Sequence, residues 1–441
     1  MRVKSLGRYG ALGCALVLLT TGCLQGGGGG ESGDSGDTQE GDGKVQILGA
    51  FPDPEAGFFE RSLRPFEQES GIDVTYVPST DFTTEIRTRV QGGNPPDIGL
   101  FPQPGLVTDL GRAGDAIPLN DLIDVNQIEE TVIPGFLDSV TDDEGTVYAA
   151  PMRMAVKSVV WYPVPEFEQA GYQVPQTWQE MQDLEERIKS DGGTPWCIGA
   201  EAGADTGWVL TDWLEEMVLR TAGPEVYDQW VNHEIPFDDP QIVEAAQTFG
   251  EDILFEQGTV LGGPRAVLTT SFDTSQNGLV EQQPQCFMHR QGNFVTGFFP
   301  EQVQQNLGNH VGTFVLPPIE GGYDGTPILG GGDMAAAFVN DSDVVEVMEF
   351  ITSDEFGTEW AAAGGWLSPH TTFDNSAYRD PTTREIAALA QDADVFRFDA
   401  SDLMPAEVGA GTFWDEMVAW TSGQKSLNQA LSDIEESWPS S

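Results

Sequence analysis

The spacing of apolar residues changes along the first hundred positions of the folded region, and it predicts alternating strands and helices. Residues 44–51 and 97–101 are short apolar runs, and 72–77 alternates between apolar and polar positions. Residues 58–69 and 82–90 instead place apolar side chains three or four positions apart. Strands that alternate with helices of about ten residues predict a parallel sheet with helices on both faces.

The pattern predicts a second sheet further along the chain. Residues 158–162 (SVVWY) and 196–201 are expected to be strands, and 327–339 is expected to be a strand interrupted by glycines. Thr177, with Glu180 three residues later, predicts the start of a helix. The predicted helices of this part are 177–189, 208–221, 240–257, 344–363, 381–392 and 411–436.

The N-terminus has the pattern of an export signal. Residues 1–22 carry three basic side chains and then an apolar run that ends at Leu19, which is short for a membrane-spanning helix. Small residues before Cys23 resemble a bacterial lipobox, which predicts cleavage before Cys23 and lipidation of its thiol. A plain signal peptide with an incidental cysteine is the alternative. Residues 23–43 are rich in Gly, Ser and acidic residues, so we expect a flexible tether.

Length and charge narrow the class of protein. A chain of 441 residues suits two lobes of roughly 150–200 residues. Its 71 acidic residues against 20 basic ones argue against nucleic acid or anionic lipid as a partner. The excess is spread along the chain, which suggests adaptation to high salt; an ordinary acidic extracellular protein is the alternative.

The cysteines suggest an oxidising compartment. Once Cys14 has left with the signal and Cys23 is lipidated, Cys197 and Cys286 remain. We expect a disulfide between them, with two free buried thiols as the alternative. No CxxC or clustered His accompanies them, so no metal site and no cofactor are expected.

Several blocks of sequence carry a family resemblance. Residues 61–119 contain LRPFEQESGIDVTYVPSTDF and GGNPPDIGLFPQPGLVTDL. Further blocks are APMRMAVKSVVWYP at 150–163, TPWCIGAEAGADTGWVLTDW at 194–213 and CFMHRQGNF at 286–294. Together they resemble the family 1 extracellular solute-binding proteins of ABC sugar importers, and within that family the proteins that bind α-glucosides.

The resemblance implies an α/β fold of the periplasmic-binding-protein type (type II), with two discontinuous lobes joined by a hinge. Lobe 1 would hold residues 44–152 and 328–366, and lobe 2 would hold 153–327 and 367–441. A small sugar would bind between the lobes, and closure would present it to the permease subunits in the membrane. With the lipidation predicted at Cys23, we expect a monomer that is anchored on the outer face of the cytoplasmic membrane.

A sugar site needs aromatic plates for the C–H faces of the ring and polar groups for its hydroxyls. Several candidates follow strand ends, where ligands of α/β sheets bind, and others stand in the family blocks. Asp333 stands where relatives often have Trp, and Trp366 could restore that plate. The candidates are Glu55, Ser79, Asp81, Phe101 and Gln103 in lobe 1, Arg153 and Lys157 at the hinge, Glu201, Trp208, His289, Gln291 and Asn293 in lobe 2, and Gly332, Asp333 and Trp366 in late segments.

Each candidate also has a structural alternative. The lobe 1 candidates could be solvated loop residues, and Asp81 could cap a helix. Arg153 and Lys157 could form salt bridges, and Trp208 and His289 could belong to the core. For the whole chain, the alternatives are a surface receptor not coupled to transport, a receptor for another solute, and a glycoside hydrolase. A hydrolase needs two carboxyl groups roughly 5–10 Å apart about one bond. We find no GxSxG, HExxH, P-loop or Rossmann fingerprint, so no enzyme is expected.

Overall fold

Short strands alternate with longer helices, and the strands form two sheets. The computed structural model describes residues 38–142, 144–391, 393 and 395–439. The predicted signal 1–22 and the lipidation site Cys23 lie outside these residues, as does most of the predicted tether. In chain order the strands are β1 (Lys44–Gly49), β2 (Asp73–Pro78), β3 (Ile98–Phe101), β4 (Ala150–Val156), β5 (Val159–Pro163), β6 (His289–Arg290), β7 (Val311–Val315), β8 (Ile328–Ala337) and β9 (Phe396–Phe398).

The larger sheet mixes parallel and antiparallel pairing. Its strand order is β2-β1-β3-β8-β4, and β9 pairs with β8. β1 runs parallel to β2 and β3, whereas β8 runs antiparallel to β3 and β4. The parallel sheet predicted from residues 44–101 is confirmed for β1, β2 and β3. β8, which was predicted to enter a later sheet, instead joins this one, where it runs antiparallel to β3 and β4 and parallel to β9. The smaller sheet is antiparallel, with the order β6-β5-β7.

Local sequence signals set the ends of several helices. Gly71 ends the first helix with a φ of 81°, and the side chain of Thr177 accepts a hydrogen bond from the backbone N–H of Glu180, as predicted. In the described part of the chain, no helix is both long and apolar enough to cross a bilayer. The helices are α1 (Glu55–Ser70), α2 (Phe82–Gln91), α3 (Pro104–Arg112), α4 (Val125–Glu129), α5 (Val164–Ala170), α6 (Trp178–Ser190), α7 (Trp208–Thr221), α8 (Pro224–Val231), α9 (Pro240–Phe249), α10 (Pro264–Val267), α11 (Glu301–Gln304), α12 (Leu307–His310), α13 (Ser342–Ile351), α14 (Thr358–Ala363), α15 (Pro381–Gln391), α16 (Ala400–Leu403), α17 (Trp414–Thr421) and α18 (Leu427–Glu436).

Three predicted elements are wrong in detail. The predicted strand at 196–201 makes only isolated bridges among the described residues. The predicted helix 344–363 is divided into α13 and α14, with Gly357 at a φ of 84° before the second. The predicted helix 411–436 is divided into α17 and α18 near Gly423, whose φ is 78°. Both breaks lie in runs that lack apolar residues at helical spacing, 352–355 (TSDE) before Gly357 and 422–426 (SGQKS) around Gly423, so polar runs as well as glycines signalled them.

Buried apolar side chains form two cores. The first packs around β1 to β4 and β8, and the second packs around α6, α7, α9 and the last two helices. Phe398 belongs to the first core and Ala400 to the second, so the chain passes from one core to the other there. The predicted lobe boundaries stay a prediction; the buried side chains from Leu367 to Phe398, which that division put in lobe 2, pack in the first core.

A disulfide closes a long loop in the second half of the fold. Cys197 and Cys286 are bonded, with their Cα atoms 5.5 Å apart and a sequence separation of 89. Both are buried. The predicted disulfide is therefore confirmed.

We predict that the Cys197→Ser/Cys286→Ser double variant is less stable than the parent by about 2–4 kcal/mol, because the bond restricts the unfolded chain. Urea denaturation followed by Trp fluorescence measures the difference. A reducing agent should lower the stability of the parent and leave the double variant unchanged. Equal stability of the oxidised parent and the double variant would contradict the prediction.

Candidate functional site

A cavity of about 380 Å³ collects side chains from both cores. Phe51 follows β1, Thr80 follows β2 and Gln103 follows β3, so the carboxyl ends of the three parallel strands contribute to one wall. Trp208 and Trp414, at the starts of α7 and α17, contribute to the other. The volume lies within the roughly 300–1,000 Å³ typical of small-molecule sites.

The structure brings more than half of the predicted ligand-binding residues to this cavity. They come from segments far apart in sequence, including α1, β4, β8 and α7. Their contact with a ligand stays a prediction. The predicted residues on the cavity wall are Glu55, Gln103, Arg153, Lys157, Glu201, Trp208, Gly332 and Asp333.

Arg153 holds two carboxylates on the first-core side of the cavity. It lies in β4 opposite Asp333 of β8, to which its Nε donates, and its Nη1 donates to Oε1 of Glu55 at 2.5 Å. The guanidinium carbon also lies 4.8 Å from the centroid of the Phe51 ring. Burial opposes ionisation of Arg153, but the charges of Asp333 and Glu55 outweigh it and raise the pKa of Arg153. Burial raises the pKa of Glu55, and Arg153 limits that shift.

Lys157 is the cation of a buried acidic cluster. Its Nζ donates to Oδ1 of Asp212 at 3.0 Å and to Oδ2 of Asp399. Burial raises the pKa of Asp212 to about 6, although Lys157 opposes the shift. Burial, reinforced by the charge of Asp399, raises the pKa values of Glu215 and Asp402 well above their usual range. Burial therefore favours the protonated forms of these carboxyl groups, whereas Lys157 favours their ionised forms.

The cluster has the composition of a metal site but already contains a cation. One oxygen each of Asp212, Glu215 and Asp399 lie within 4.8 Å of one another. Lys157 Nζ is bonded to two of these three carboxylates. An ion at this position would compete with the lysine, so the geometry describes an ion-pair cluster and not a metal centre.

Trp208 provides an aromatic surface on the cavity wall. The side chain is half-buried, and its ring lies 5.3 Å from the ring of Phe272 and 6.0 Å from that of Phe294, centroid to centroid. Nζ of Lys157 lies 5.2 Å from the Trp208 ring centroid. Edge contacts with Phe272 fix the orientation of the indole, which suits a ring that stacks on a flat apolar ligand face.

Two glycines allow backbone segments to approach each other beside the cavity. A Cβ at Gly332 would collide with the carbonyl oxygen of Arg153, so only glycine lets β8 pack this closely on β4. Gly207 has a φ of 133°, and a Cβ there would lie 2.6 Å from Cβ of Trp414. Gly207 therefore brings the start of α7 against the start of α17.

The structure does not bring the other predicted residues to the cavity wall. Several are sequence neighbours of wall residues, as Ser79 and Asp81 are of Thr80 and as Asn293 is of Phe294. Their contact with a ligand is untested. These residues are Ser79, Asp81, Phe101, His289, Gln291, Asn293 and Trp366.

Two of these residues have clear structural partners. Oδ1 of Asn293 accepts from the backbone N–H of Val156 at 2.8 Å, and its Nδ2 donates to the carbonyl of Gly365 at 3.2 Å. Nδ1 of His289 lies 2.9 Å from the carbonyl oxygen of Cys197, and burial lowers the pKa of His289 to about 4. His289 is therefore a neutral core histidine, which was one of the two interpretations of the sequence.

Sequence reasoning missed part of the wall. Asp205 and Asp212 flank Trp208 within a block that carried the family resemblance, so the block itself was the available signal. The residues after β9 follow a three-residue strand, which gave no recognisable pattern. The missed wall residues that bear polar or aromatic side chains include Asp205, Asp212, Phe272, Asp273, Phe294, Asp399, Ser401, Asp402 and Trp414.

Comparison with known proteins identifies relatives over most of the chain. The family described as bacterial extracellular solute-binding protein matches residues 52–358. The osmoprotective compounds-binding protein GgtB of Synechocystis is 42% identical over 396 residues, which cover 90% of this chain and 92% of GgtB. The alpha-glucosides-binding periplasmic protein AglE of Rhizobium meliloti is 35% identical over 402 residues, which cover 90% of this chain and 87% of AglE.

Solved structures resemble the fold at low sequence identity. A chitin oligosaccharide binding protein superimposes with a TM-score of 0.75 at 19% identity, over 89% of this chain and 97% of that one. Maltose-bound MalE3 of T. maritima gives a TM-score of 0.69 at 19% identity, over 89% and 98%. The predicted two-lobed α/β fold of type II is confirmed, and so is the predicted family resemblance.

We predict that the protein loses stability as the pH rises from about 4 through about 6, partly through Asp205. Burial and the charge of Asp81 raise the pKa of Asp205 to about 6, above the roughly 3.9 of an unfolded aspartate. The stabilising effect of protonation is complete below the unfolded pKa and is lost as the pH rises through the folded value. Asp205→Asn should therefore add about 1 kcal/mol to the free energy of unfolding at pH 8, since exposure weakens the full effect, and almost nothing at pH 4.

Urea denaturation at a series of pH values measures this difference. Asp238→Asn is the matched control, because Asp238 is exposed and lies away from the cavity wall. Parallel stability curves for the parent and Asp205→Asn across pH 4–8 would show that the prediction is wrong.

Proposed function

The chain belongs to the bacterial extracellular solute-binding proteins, and on that premise we propose that it captures a small α-glucoside for an ABC importer. The sugar, such as trehalose, maltose or sucrose, binds in the cavity and passes unchanged to the permease subunits. The observation that carries the proposal is the composition of the cavity wall, where the Trp208 ring stands among the buried carboxylates of Glu55, Asp333 and Asp399. An indole face suits the C–H side of a pyranose ring, and carboxylates accept from its hydroxyls.

The relatives support this substrate class by name. GgtB is named for osmoprotective compounds and AglE for alpha-glucosides, and each is aligned over nine-tenths of this chain. Membership of an extracellular family indicates export from the cytoplasm. In this proposal, cleavage leaves Cys23 as a lipidated N-terminus, the acidic tether separates it from the folded body, and the protein acts as a monomer.

Closure of two lobes about the sugar is the step that the importer recognises. We place a crossing between the lobes at residues 398–400, where buried side chains change from the first core to the second. Lys157 and Asn293 lie where β4 leaves the first sheet, and Asn293 bonds the backbone of Val156 there. A ligand that touches both walls favours the closed state because it binds that state more tightly.

Isothermal titration with trehalose, maltose, sucrose and a set of unrelated solutes tests the proposal. We expect one or more α-glucosides to bind with a dissociation constant in the micromolar range, about −8 kcal/mol, with no glucose released afterwards. Release of glucose would support a hydrolase, and binding only of a peptide, polyamine or metal ion would assign a different solute class. Millimolar binding to every α-glucoside would also contradict the proposal.

We predict that Trp208→Ala weakens binding of the preferred sugar by more than about 1 kcal/mol, since the indole contributes a stacking surface. Trp208→Phe should retain part of the affinity. Trp438→Ala is the matched control, because Trp438 is a half-buried tryptophan that stacks on His233 and does not line the cavity. Unchanged affinity in Trp208→Ala, measured by the same titration, would remove Trp208 from the site.

A further inference from the structure

The charges on the cavity wall are unbalanced. Among the described wall residues the cations are Arg153 and Lys157, and both are already paired. Arg153 donates to Glu55 and Asp333, and Lys157 donates to Asp212 and Asp399. The acidic residues of the wall are Glu55, Glu201, Asp205, Asp212, Asp273, Asp333, Asp399 and Asp402.

Protonation of some carboxyl groups reduces the excess of negative charge on the cavity wall without removing it. Burial and the charge of the adjacent Asp399 raise the pKa of Asp402 well above its usual range, which favours the neutral form of this carboxyl group. Asp205 and Asp212, whose pKa values are raised to about 6, are ionised at pH 8. The ionised carboxylates of the wall therefore still outnumber its cations.

The buried polar atoms that lack a partner on this wall are mainly acceptors. Within the described residues, three buried oxygens accept no hydrogen bond: Oε1 of Gln103, Oδ1 of Asp333 and Oδ1 of Asp399. The buried Nε1 of Trp414 donates none. The three oxygens need donors, which hydroxyl groups supply, and a neutral indole N–H can donate to a hydroxyl oxygen. Nη2 of Arg153 is the one guanidinium nitrogen for which the described residues provide no hydrogen-bond acceptor.

We infer that the site is selective for charge: it accepts neutral or cationic polyhydroxyl ligands and rejects the same sugars when they carry a carboxylate or phosphate. This inference rests on the proposed function and narrows its substrate class. A ligand hydroxyl donates to the unpaired acceptors of both walls, since Asp333 lies on the first-core side and Asp399 at the start of the second. A ligand carboxylate brings no donor and adds a negative charge in a site of low dielectric, where repulsion is weakly screened.

The test compares ligands of the same shape that differ in charge. The probes are trehalose, its derivative with one C6 oxidised to a carboxylate, the matching C6 carboxamide, and 6-amino-6-deoxytrehalose, with the corresponding maltose series in parallel. Titration of the full mature chain at pH 8 should show the carboxamide binding at least 30-fold more tightly than the carboxylate. The amine should bind no more than tenfold more weakly than the parent sugar.

The outcomes separate the inference from the proposed function. Binding of the parent sugar with equal affinities for carboxamide and carboxylate overturns the charge selectivity and leaves the proposed function intact. Failure of both parent sugars and all derivatives to bind overturns both.

Protein variants give an independent readout. Asp273→Asn removes one wall charge from a half-buried residue whose side chain makes no hydrogen bond in the described structure, so folding should be preserved. We expect the ratio of carboxamide to carboxylate affinity to fall at least threefold in Asp273→Asn and further in Asp399→Asn. The exposed control Asp238→Asn should keep the parental ratio. An unchanged ratio in both wall variants would contradict the inference.

Discussion

Two cations with little access to water organise the walls of the cavity. The side chains of Arg153 and Lys157 are 14% and 10% exposed, and each is bonded to two carboxylates from other segments. Arg153 connects β4 to β8 and to the start of α1, and Lys157 connects the end of β4 to α7 and to the residue after β9. Removing one partner from a buried ion pair typically costs about 3–5 kcal/mol, so these four carboxylates are strongly held in place.

These ion pairs also determine what remains for a ligand. Because the cations are occupied, the wall presents mainly oxygen acceptors and aromatic faces. The second oxygens of Asp333 and Asp399 have no partner among the described residues, although each carboxylate is bonded through its first. Arg153 and Lys157 therefore connect the packing of the larger sheet to the chemistry of the cavity. Such pre-oriented acceptors bind a polyol without having to reorganise.

The sequence predicted the parts of this arrangement that depend on local pattern. The alternation of strands and helices placed Glu55 and Gln103 at the carboxyl ends of strands, where the structure has the cavity. The scarcity of basic residues singled out Arg153 and Lys157, and the salt bridges considered as an alternative are present. Trp208 was identified from the block in which it stands. The disulfide followed from the two cysteines left in an exported chain.

The rest could not be predicted because it depends on contacts between distant segments. Asp399 approaches Lys157 across 242 residues of sequence, and nothing near Asp399 indicates this. Asn293, whose contact with a sugar stays a prediction, also bonds the backbone of Val156 and Gly365, a role that no local pattern reveals. The breaks before α14 and α18, by contrast, lie at glycines with positive φ beside polar runs, a local signal that the prediction overlooked.

A crystal structure of the protein with its preferred α-glucoside bound tests the account most directly. The account predicts one pyranose ring stacked on the Trp208 indole, with ligand hydroxyls donating to Oδ1 of Asp333 and Oδ1 of Asp399, and with both Arg153 and Lys157 still in their ion pairs. A sugar bound outside this cavity, or one held by Arg153 and Lys157 after they have left their carboxylates, would contradict it.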